Sequence, residues 1–418
     1  MGAQVELAAQ VASVGFRLTE EEDLVVPETG LSPAVAEELF ETYGSRIKVT
    51  FPTPATNRCY VLRSNGYVGQ LTTSDGSTFH IEPKVELQSI FRMLELAYDV
   101  PALELMPGTS QLAAAKDIFE HLAFMLSDRI LQRVRKGLHR EYVEYHERLP
   151  VLRGRVDVAE SLQLAVRATP TLACDFEDLT SNVDENRIPA WVLYQLRRFE
   201  FRREPVLRHV RRAFRALSAA CDLKQYASAD CARRSYDRMT SDYRPIHAIC
   251  RFFLDQMGPR HEQESAKFLP FLVNMPRLFE GAVAQCLKQH CSEDYRIVTQ
   301  RALKLDSGGR YTFRPDIVVE DRRSGQALVV LDTKYKDPEK MALADIAQVI
   351  AYATALGCSR AGLVYPVEIA ARGVSAGAVD VEPLTWDLET GLRDAGGLSF
   401  MITSGGQEVA RRWETASP

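Results

Sequence analysis

The chain has 418 residues, enough for two or three domains of roughly 100–200 residues each. Its 46% apolar and 26% charged content is that of an ordinary globular protein, able to bury a core without disulfides. A net charge of −5 leaves no global nucleic-acid signature, so any contact with nucleic acid has to come from a local basic surface.

The eight cysteines include no C-x-x-C pair, which argues against a zinc ribbon and a disulfide framework and favours free thiols in a reducing compartment. No apolar run reaches the roughly 18 residues of a membrane span. The start Met1-Gly2-Ala3-Gln4-Val5-Glu6 lacks the basic-then-apolar layout of a signal peptide, so the expected location is cytoplasmic. Neither G-x-x-x-x-G-K-[ST] nor a helix-opening G-x-G-x-x-G occurs. Motor work driven by a nucleoside triphosphate would therefore fall to another subunit.

Residues 1–90 read as a β-rich domain. Ser32–Tyr43 is a helix candidate, with Ser32 as N-cap and Pro33 at the first helical position. Ile47–Phe51, Arg58–Leu62, Val68–Thr72 and Thr78–Ile81 are short strand candidates. Asn65-Gly66 and Asp75-Gly76 punctuate the last three as hairpins.

Residues 91–265 read as mainly helical, a region suited with the first domain to binding a partner. Ala113–Lys136 places Ile118, Leu122, Met125 and Ile130 near helical spacing. Asn186–Leu196 and Pro205–Leu217 follow as helices. A basic segment there holds Arg197, Arg198, Arg202, Arg203, Arg208, Arg211, Arg212 and Arg215. It reads either as a phosphate-contacting face or as a solvated helix surface whose arginines pair with acidic neighbours.

Residues 266–418 alternate helix and strand, the pattern of a mixed sheet flanked by helices; the whole chain is expected to be multi-domain α/β. The candidates are helix Pro276–His290, strands Arg296–Gln300, Tyr311–Val319 and Ala327–Lys334, helix Ala342–Leu356, and strands Ala361–Tyr365 and Ala378–Leu384.

The chemistry concentrates here. Arg314-Pro315-Asp316-Ile317-Val318-Val319 leads through a polar turn into Ala327-Leu328-Val329-Val330-Leu331-Asp332-Thr333-Lys334. The midpoint between 316 and 332 falls on Ser324 in the turn, so simple antiparallel pairing sets Asp316 opposite Asp332. Lys334, two residues beyond Asp332, shares its face. Two facing carboxylates repel unless compensated, and a hard divalent cation such as Mg²⁺ or Mn²⁺ is the natural compensation. The bland alternative is an Asp332–Lys334 pair ending a buried strand. Glu280, on the helix entering this domain, is a candidate third carboxylate, although a lone helical glutamate is usually a surface residue. Gln348 and Tyr352 lie i, i+4 on one helical face, with Asp345 three residues before Gln348, and read as DNA-backbone contacts or as an ordinary amphipathic helix.

Helix-Glu, Pro-Asp, Asp-Thr-Lys and Gln-x-x-x-Tyr in this order resemble the PD-(D/E)XK nuclease superfamily. More narrowly, the chain resembles McrC, the nuclease subunit of McrBC-type modification-dependent restriction systems. The further segments Tyr67-Val68-Gly69, Ile81-Glu82-Pro83-Lys84-Val85, Leu149-Pro150-Val151-Leu152-Arg153-Gly154-Arg155, Glu185-Asn186-Arg187 and Asp332-Thr333-Lys334-Tyr335-Lys336 are similar to that family, so the resemblance covers most of the chain. It implies a restriction-endonuclease-like C-terminal domain and a partner, an McrB-like AAA+ GTPase hexamer that recognises modified double-stranded DNA. It also implies that an N-terminal region of McrC-like proteins enters that ring and stimulates its nucleotide hydrolysis.

The expected reaction is Mg²⁺- or Mn²⁺-dependent phosphodiester hydrolysis. Asp316, Asp332, Glu280 and the Thr333 carbonyl are the expected metal ligands, with Lys334 beside the attacking water or the pentavalent phosphate. Arg314 and Lys336, with Gln348 and Tyr352, are candidates for positioning DNA. Two other functions stay open. One is a non-cleaving adaptor that activates a GTPase ring. The other is a stand-alone RecB-like repair nuclease, against which stands the lack of a cysteine set for an iron–sulfur cluster.

Overall fold

The structure, a computed structural model, describes residues 15–98, 115–199, 201–257, 271–291, 293–304, 310–336, 338–367, 369, 372–386, 400–404 and 407–411. The chain divides into two compact units, Met1–Ile118 with Pro270–Pro418, and Phe119–Leu269. The first and last of the three segments read from the sequence thus share one unit.

The N-terminal part of the first unit contains β1 (Gly15–Thr19), β2 (Asp23–Pro27), α1 (Pro33–Tyr43), β3 (Ile47–Thr50), β4 (Cys59–Ser64), β5 (Tyr67–Thr72), β6 (Thr78–Glu82) and α2 (Leu87–Tyr98). Pro33 opens α1 as expected, while the Ser32 hydroxyl makes no capping bond. β2, β4 and β3 form one small sheet, and β1, β6 and β5 belong to a second. Alternation along these strands turns Leu18, Leu62, Leu71, Phe79 and Ile81 inward against Leu39 of α1.

The second unit begins within α3 (Ala115–Lys136), whose two expected first residues lie outside the described ones, and continues through β7 (Glu141–Leu149), β8 (Arg155–Val156), α4 (Val158–Val166) and β9 (Leu172–Thr180). It ends with α5 (Asp184–Leu196), α6 (Glu204–Ser218), α7 (Ser228–Ala232) and α8 (Arg244–Met257). The helices match the expectation, but the three-stranded sheet β7-β9-β8 was not expected. Its strand Glu-Tyr-Val-Glu-Tyr-His-Glu-Arg-Leu buries neither face deeply, so it carries no apolar alternation. Gly154 explains part of the Leu-Arg-Gly-Arg segment. Its φ is +67°, and a Cβ there would lie 2.3 Å from the Asp175 carbonyl oxygen.

The chain then returns to the first unit through β10 (Phe271–Asn274), α9 (Met275–His290), β11 (Tyr295–Thr299), β12 (Leu303–Lys304), β13 (Thr312–Phe313), β14 (Ile317–Asp321), β15 (Ala327–Thr333), α10 (Leu343–Leu356), β16 (Arg360–Tyr365), β17 (Val374–Ala376) and β18 (Val379–Thr385). β10 joins the N-terminal sheet, pairing antiparallel with β5. Gly69 permits this approach: at φ +139°, a Cβ would sit 2.0 Å from the Phe271 carbonyl oxygen.

The main sheet has the order β11-β14-β15-β16-β18-β17. β15 and β16 run parallel, joined through α10, and their apolar runs are those of strands covered on both faces. Val330, Val349, Ala353, Leu363 and Val381 form its core. The single strand expected over Tyr311–Val319 is two. Pro315, lacking an N–H, interrupts the ladder, leaving β13 paired with β12 and β14 in the main sheet.

Candidate active site

The register of β14 against β15 is Ile317↔Leu331 and Val318↔Val330. Continued one step, it sets Asp316 across from Asp332, as the turn at Ser324 demands. At the other end a bulge after Val319 adjusts the ladder, and Asp321 closes the turn by accepting from the Ser324 backbone N–H at 2.7 Å.

Asp316 stands directly before β14. Its Oδ2 accepts from both the Thr333 N–H and the Thr333 hydroxyl, each at 2.8 Å. Asp332, near the end of β15, is 3% exposed. Its Oδ2 pairs with Lys334 Nζ at 2.5 Å. Lys334 Nζ also donates to Gln348 Oε1 at 3.0 Å and stands 3.5 Å from Asp345 Oδ1.

Glu280 arrives on α9. Asn274 caps that helix by accepting from the Arg277 N–H at 2.9 Å, and Pro276 pre-sets its first turn. The Gln300 side-chain amide donates to Glu280 Oε1 at 2.6 Å and to Asp316 Oδ1 at 3.4 Å. Gln300 was not anticipated as a site residue. It follows β11 with φ +52°, a left-handed conformation rare for a side-chain-bearing residue and invisible in the sequence.

The electrostatics follow from burial and like charge. Burial, then the neighbouring Asp316 carboxylate, pushes Glu280 up to about 7, against the Gln300 hydrogen bond. The same two causes push Asp332 up to about 6, although Lys334 opposes them. Burial disfavours the Lys334 ammonium, but Asp332, Asp345 and Asp316 together outweigh it and raise its pKa.

Asp316, Asp332, Glu280 and Lys334 are thus brought together, and Thr333 meets Asp316 through its N–H and hydroxyl. Gln348 lies on Lys334 and donates to the Tyr352 hydroxyl at 2.8 Å. Tyr352 is buried, with its ring edge-on to Phe313. Lys336 pairs with Asp345, whereas Arg314 is exposed.

The donor set suits a hard divalent cation: three carboxylates, two of them held above their usual range by burial and by a like-charged neighbour. Among the described residues, only His139, Glu141 and Glu185 of the other unit gather three potential ligand atoms within 4.8 Å of one another. Glu185 is already paired with Arg234 at 2.8 Å. Glu280, Asp316 and Asp332 do not bring three ligand atoms within 4.8 Å of one another, so a cation using all three requires their side chains to shift and the Gln300 amide, which donates to Glu280 and Asp316, to give way.

These features define a mixed α/β protein with a carboxylate–lysine cluster at the end of two central strands. A family described as McrBC 5-methylcytosine restriction system component matches residues 62–366, and the chain belongs to this family, as a McrC-like member. In fold it is similar to a chain of the half-complex from the tetradecameric assembly of Thermococcus gammatolerans McrB AAA+ hexamers with bound McrC. The identity is 15%, the TM-score 0.52, and the match covers 90% of this chain and 95% of that one. A chain of the cryo-EM structure of the Thermococcus gammatolerans McrBC complex matches at 17% identity and TM-score 0.43, covering 67% of this chain and 89% of that chain. No curated protein matches the chain. No helix among the described residues is long and apolar enough to cross a membrane.

Proposed function

We propose that the chain is the nuclease subunit of a McrBC-type, modification-dependent restriction system, hydrolysing DNA phosphodiesters with Mg²⁺ or Mn²⁺ and stimulating an AAA+ GTPase ring. The observation that carries this reading is the buried Asp332 carboxylate facing Asp316 at the strand ends, pushed up to about 6 by burial and by Asp316 even with the Lys334 ammonium 2.5 Å away. A purely structural Asp332–Lys334 pair does not call for a second carboxylate facing it.

Asp316, Asp332 and Glu280 are the ligands for the cation, with the Thr333 carbonyl as a further one. When bound, the cation acidifies a coordinated water and neutralises charge on the phosphate. Thr333 fixes the Asp316 carboxylate by two donors, and Gln348 holds Lys334. Because its neighbours keep Lys334 protonated, it acts as a cationic donor to the water or phosphate oxygen rather than as the base. α6 supplies the local basic surface that an acidic chain needs for DNA. Arg208, Arg211, Arg212 and Arg215 lie exposed along one face of it, at i, i+3, i+4 and i+7.

The test is plasmid nicking with Mg²⁺ or Mn²⁺, wild type against Asp332→Ala, with and without a partner GTPase and GTP. Cleavage that needs the partner, GTP and Asp332 is the expected result. Cleavage without the partner would make the protein a stand-alone nuclease. Accelerated GTP hydrolysis with no cleavage in any arm would make it an adaptor.

A further inference from the structure

The Ile81-Glu82-Pro83-Lys84-Val85 segment lies far from the nuclease motifs in sequence, yet it ends beside them. Lys84 Nζ donates to the Tyr335 carbonyl oxygen at 3.2 Å and to Glu21 Oε2 at 2.6 Å. It also lies 4.4 Å from the centroid of the Tyr335 ring. Tyr335 directly follows Lys334. We infer that Lys84 is a positioning residue of the nuclease site, fixing the end of the strand that bears Asp332 and Lys334; this rests on the nuclease reading above.

The need for such a grip is visible in the backbone. The Lys334 N–H still donates to the Val364 carbonyl, but β15 ends at Thr333, and the Lys336 N–H turns back onto the Lys334 carbonyl at 2.8 Å. Past Thr333 the strand direction is no longer set by a ladder on both sides, and Lys84 supplies a donor to the carbonyl at that turn.

The grip is itself built in. Glu21 presents its carboxylate to Lys84 from a left-handed φ of +61°, which side-chain-bearing residues rarely adopt. Glu20, 1% exposed, accepts at Oε2 from the Lys84 N–H at 3.4 Å and from the Tyr335 hydroxyl at 3.5 Å. The Tyr335 ring in turn lies 5.7 Å from that of Phe279, the residue before Glu280. The N-terminal sheet also anchors the start of α9: the Met275 N–H donates to the Gly66 carbonyl and Asn274 Nδ2 to the Tyr67 hydroxyl, both at 2.9 Å. One sheet therefore holds both elements that carry the acidic cluster, the helix of Glu280 and the strand of Asp332. Displacing a reacting group by an ångström costs on the order of a hundredfold in rate, so a small loosening here is measurable.

The experiment uses the full chain with its partner GTPase and GTP, and compares wild type, Lys84→Met and Lys84→Arg. Methionine keeps an apolar stem over the Tyr335 ring and removes the charge; arginine restores it. Three quantities are read: the nicking rate at saturating Mn²⁺, the Mn²⁺ midpoint of thermal stabilisation without DNA, and the melting temperature without metal. Lys84→Met is expected to nick on the order of tenfold more slowly or worse and to need more Mn²⁺, with Lys84→Arg recovering most of both. Wild-type rate and midpoint in Lys84→Met would overturn the inference. So would equal losses in both variants that track their melting temperatures, since that is a packing defect. If wild type takes up Mn²⁺ through Asp332 but never nicks, the nuclease reading fails, and the Mn²⁺ midpoint alone still decides the role of Lys84. If wild type takes up no Mn²⁺ at all, both readings fall.

Discussion

Gln300 donates its side-chain amide to Glu280 at 2.6 Å, placing a neutral donor between two carboxylates where a cation is expected to bind. A hydrogen bond to the charged form of an acid favours that form, and here it partly offsets the burial that raises Glu280. Gln300→Ala removes this help. It also removes the donor that a cation has to displace, so Mn²⁺ should bind more tightly at pH 8 and the pH of half-maximal uptake should move downward. Calorimetric Mn²⁺ titrations at several pH values measure this, and an unchanged midpoint would mean that Gln300 does not tune the site.

The basic face of α6 makes a prediction about salt. Each arginine that neutralises a DNA phosphate contributes about 0.9 to the slope of log affinity against log salt. Arg211→Glu with Arg215→Glu should therefore weaken binding to duplexes of any sequence and flatten that slope by about two. Equal slopes in wild type and variant would return α6 to a solvated surface. Arg197 and Arg203 belong less to this face. Arg197 lies 3.8 Å from the Phe214 ring centroid, and Arg203 lies 3.8 Å from Glu120.

Much of the site was legible because a β-hairpin is arithmetic. The positions of Asp316, Asp332 and the turn at Ser324 determine which residues face each other, and the period of two puts Lys334 beside Asp332. Glu280 was legible only as a member of a pattern, since nothing local to α9 says that its second turn meets the strand ends. Gln300 was hidden because its role depends on a left-handed φ after β11. Lys84 was hidden because its partner lies 251 residues away. The sheet β7-β9-β8 escaped for a different reason: its long strand β7 has no buried residue and so lacks the clear alternation by which strands are read. The pairing of β5 with β10 likewise depends on Gly69, whose need for a missing Cβ is a property of the approach rather than of the local sequence.

Asn186 illustrates the structural share of the family-like segments. It is fully buried, donates to the carbonyls of His139 at 2.9 Å and Ser181 at 2.8 Å, and accepts from the Tyr243 hydroxyl at 2.5 Å. Asn186→Ala leaves three polar groups unmatched, at about 1–3 kcal/mol each where they stay dry. Chemical denaturation should show a loss of about 3 kcal/mol or more in the second unit. A loss under about 1 kcal/mol would mean that water replaces the amide at little cost.

His247 in the second unit and the acidic cluster in the first respond to pH in opposite senses. Burial lowers His247 to about 4, where it hydrogen-bonds to the Glu185 carbonyl and the Tyr236 hydroxyl. Between about 6.5 and 4 the unfolded chain binds this proton and the folded one does not, so stability falls as pH falls through that window. Glu280 and Asp332 are raised instead, to about 7 and about 6. From about 4 upward to 7 the metal-free folded state holds protons that the unfolded chain has released, so it loses stability as pH rises. For Glu280 alone, the rise from 4.5 to about 7 corresponds to on the order of 3 kcal/mol. A bound cation takes the place of those protons. The thermal stabilisation by Mn²⁺ should accordingly be larger at pH 8 than at pH 6, and Asp332→Ala should abolish most of the difference while leaving the His247 response in place. Stabilisation independent of pH would mean that the cation binds elsewhere, and the assignment of Asp332 as a ligand would not survive it.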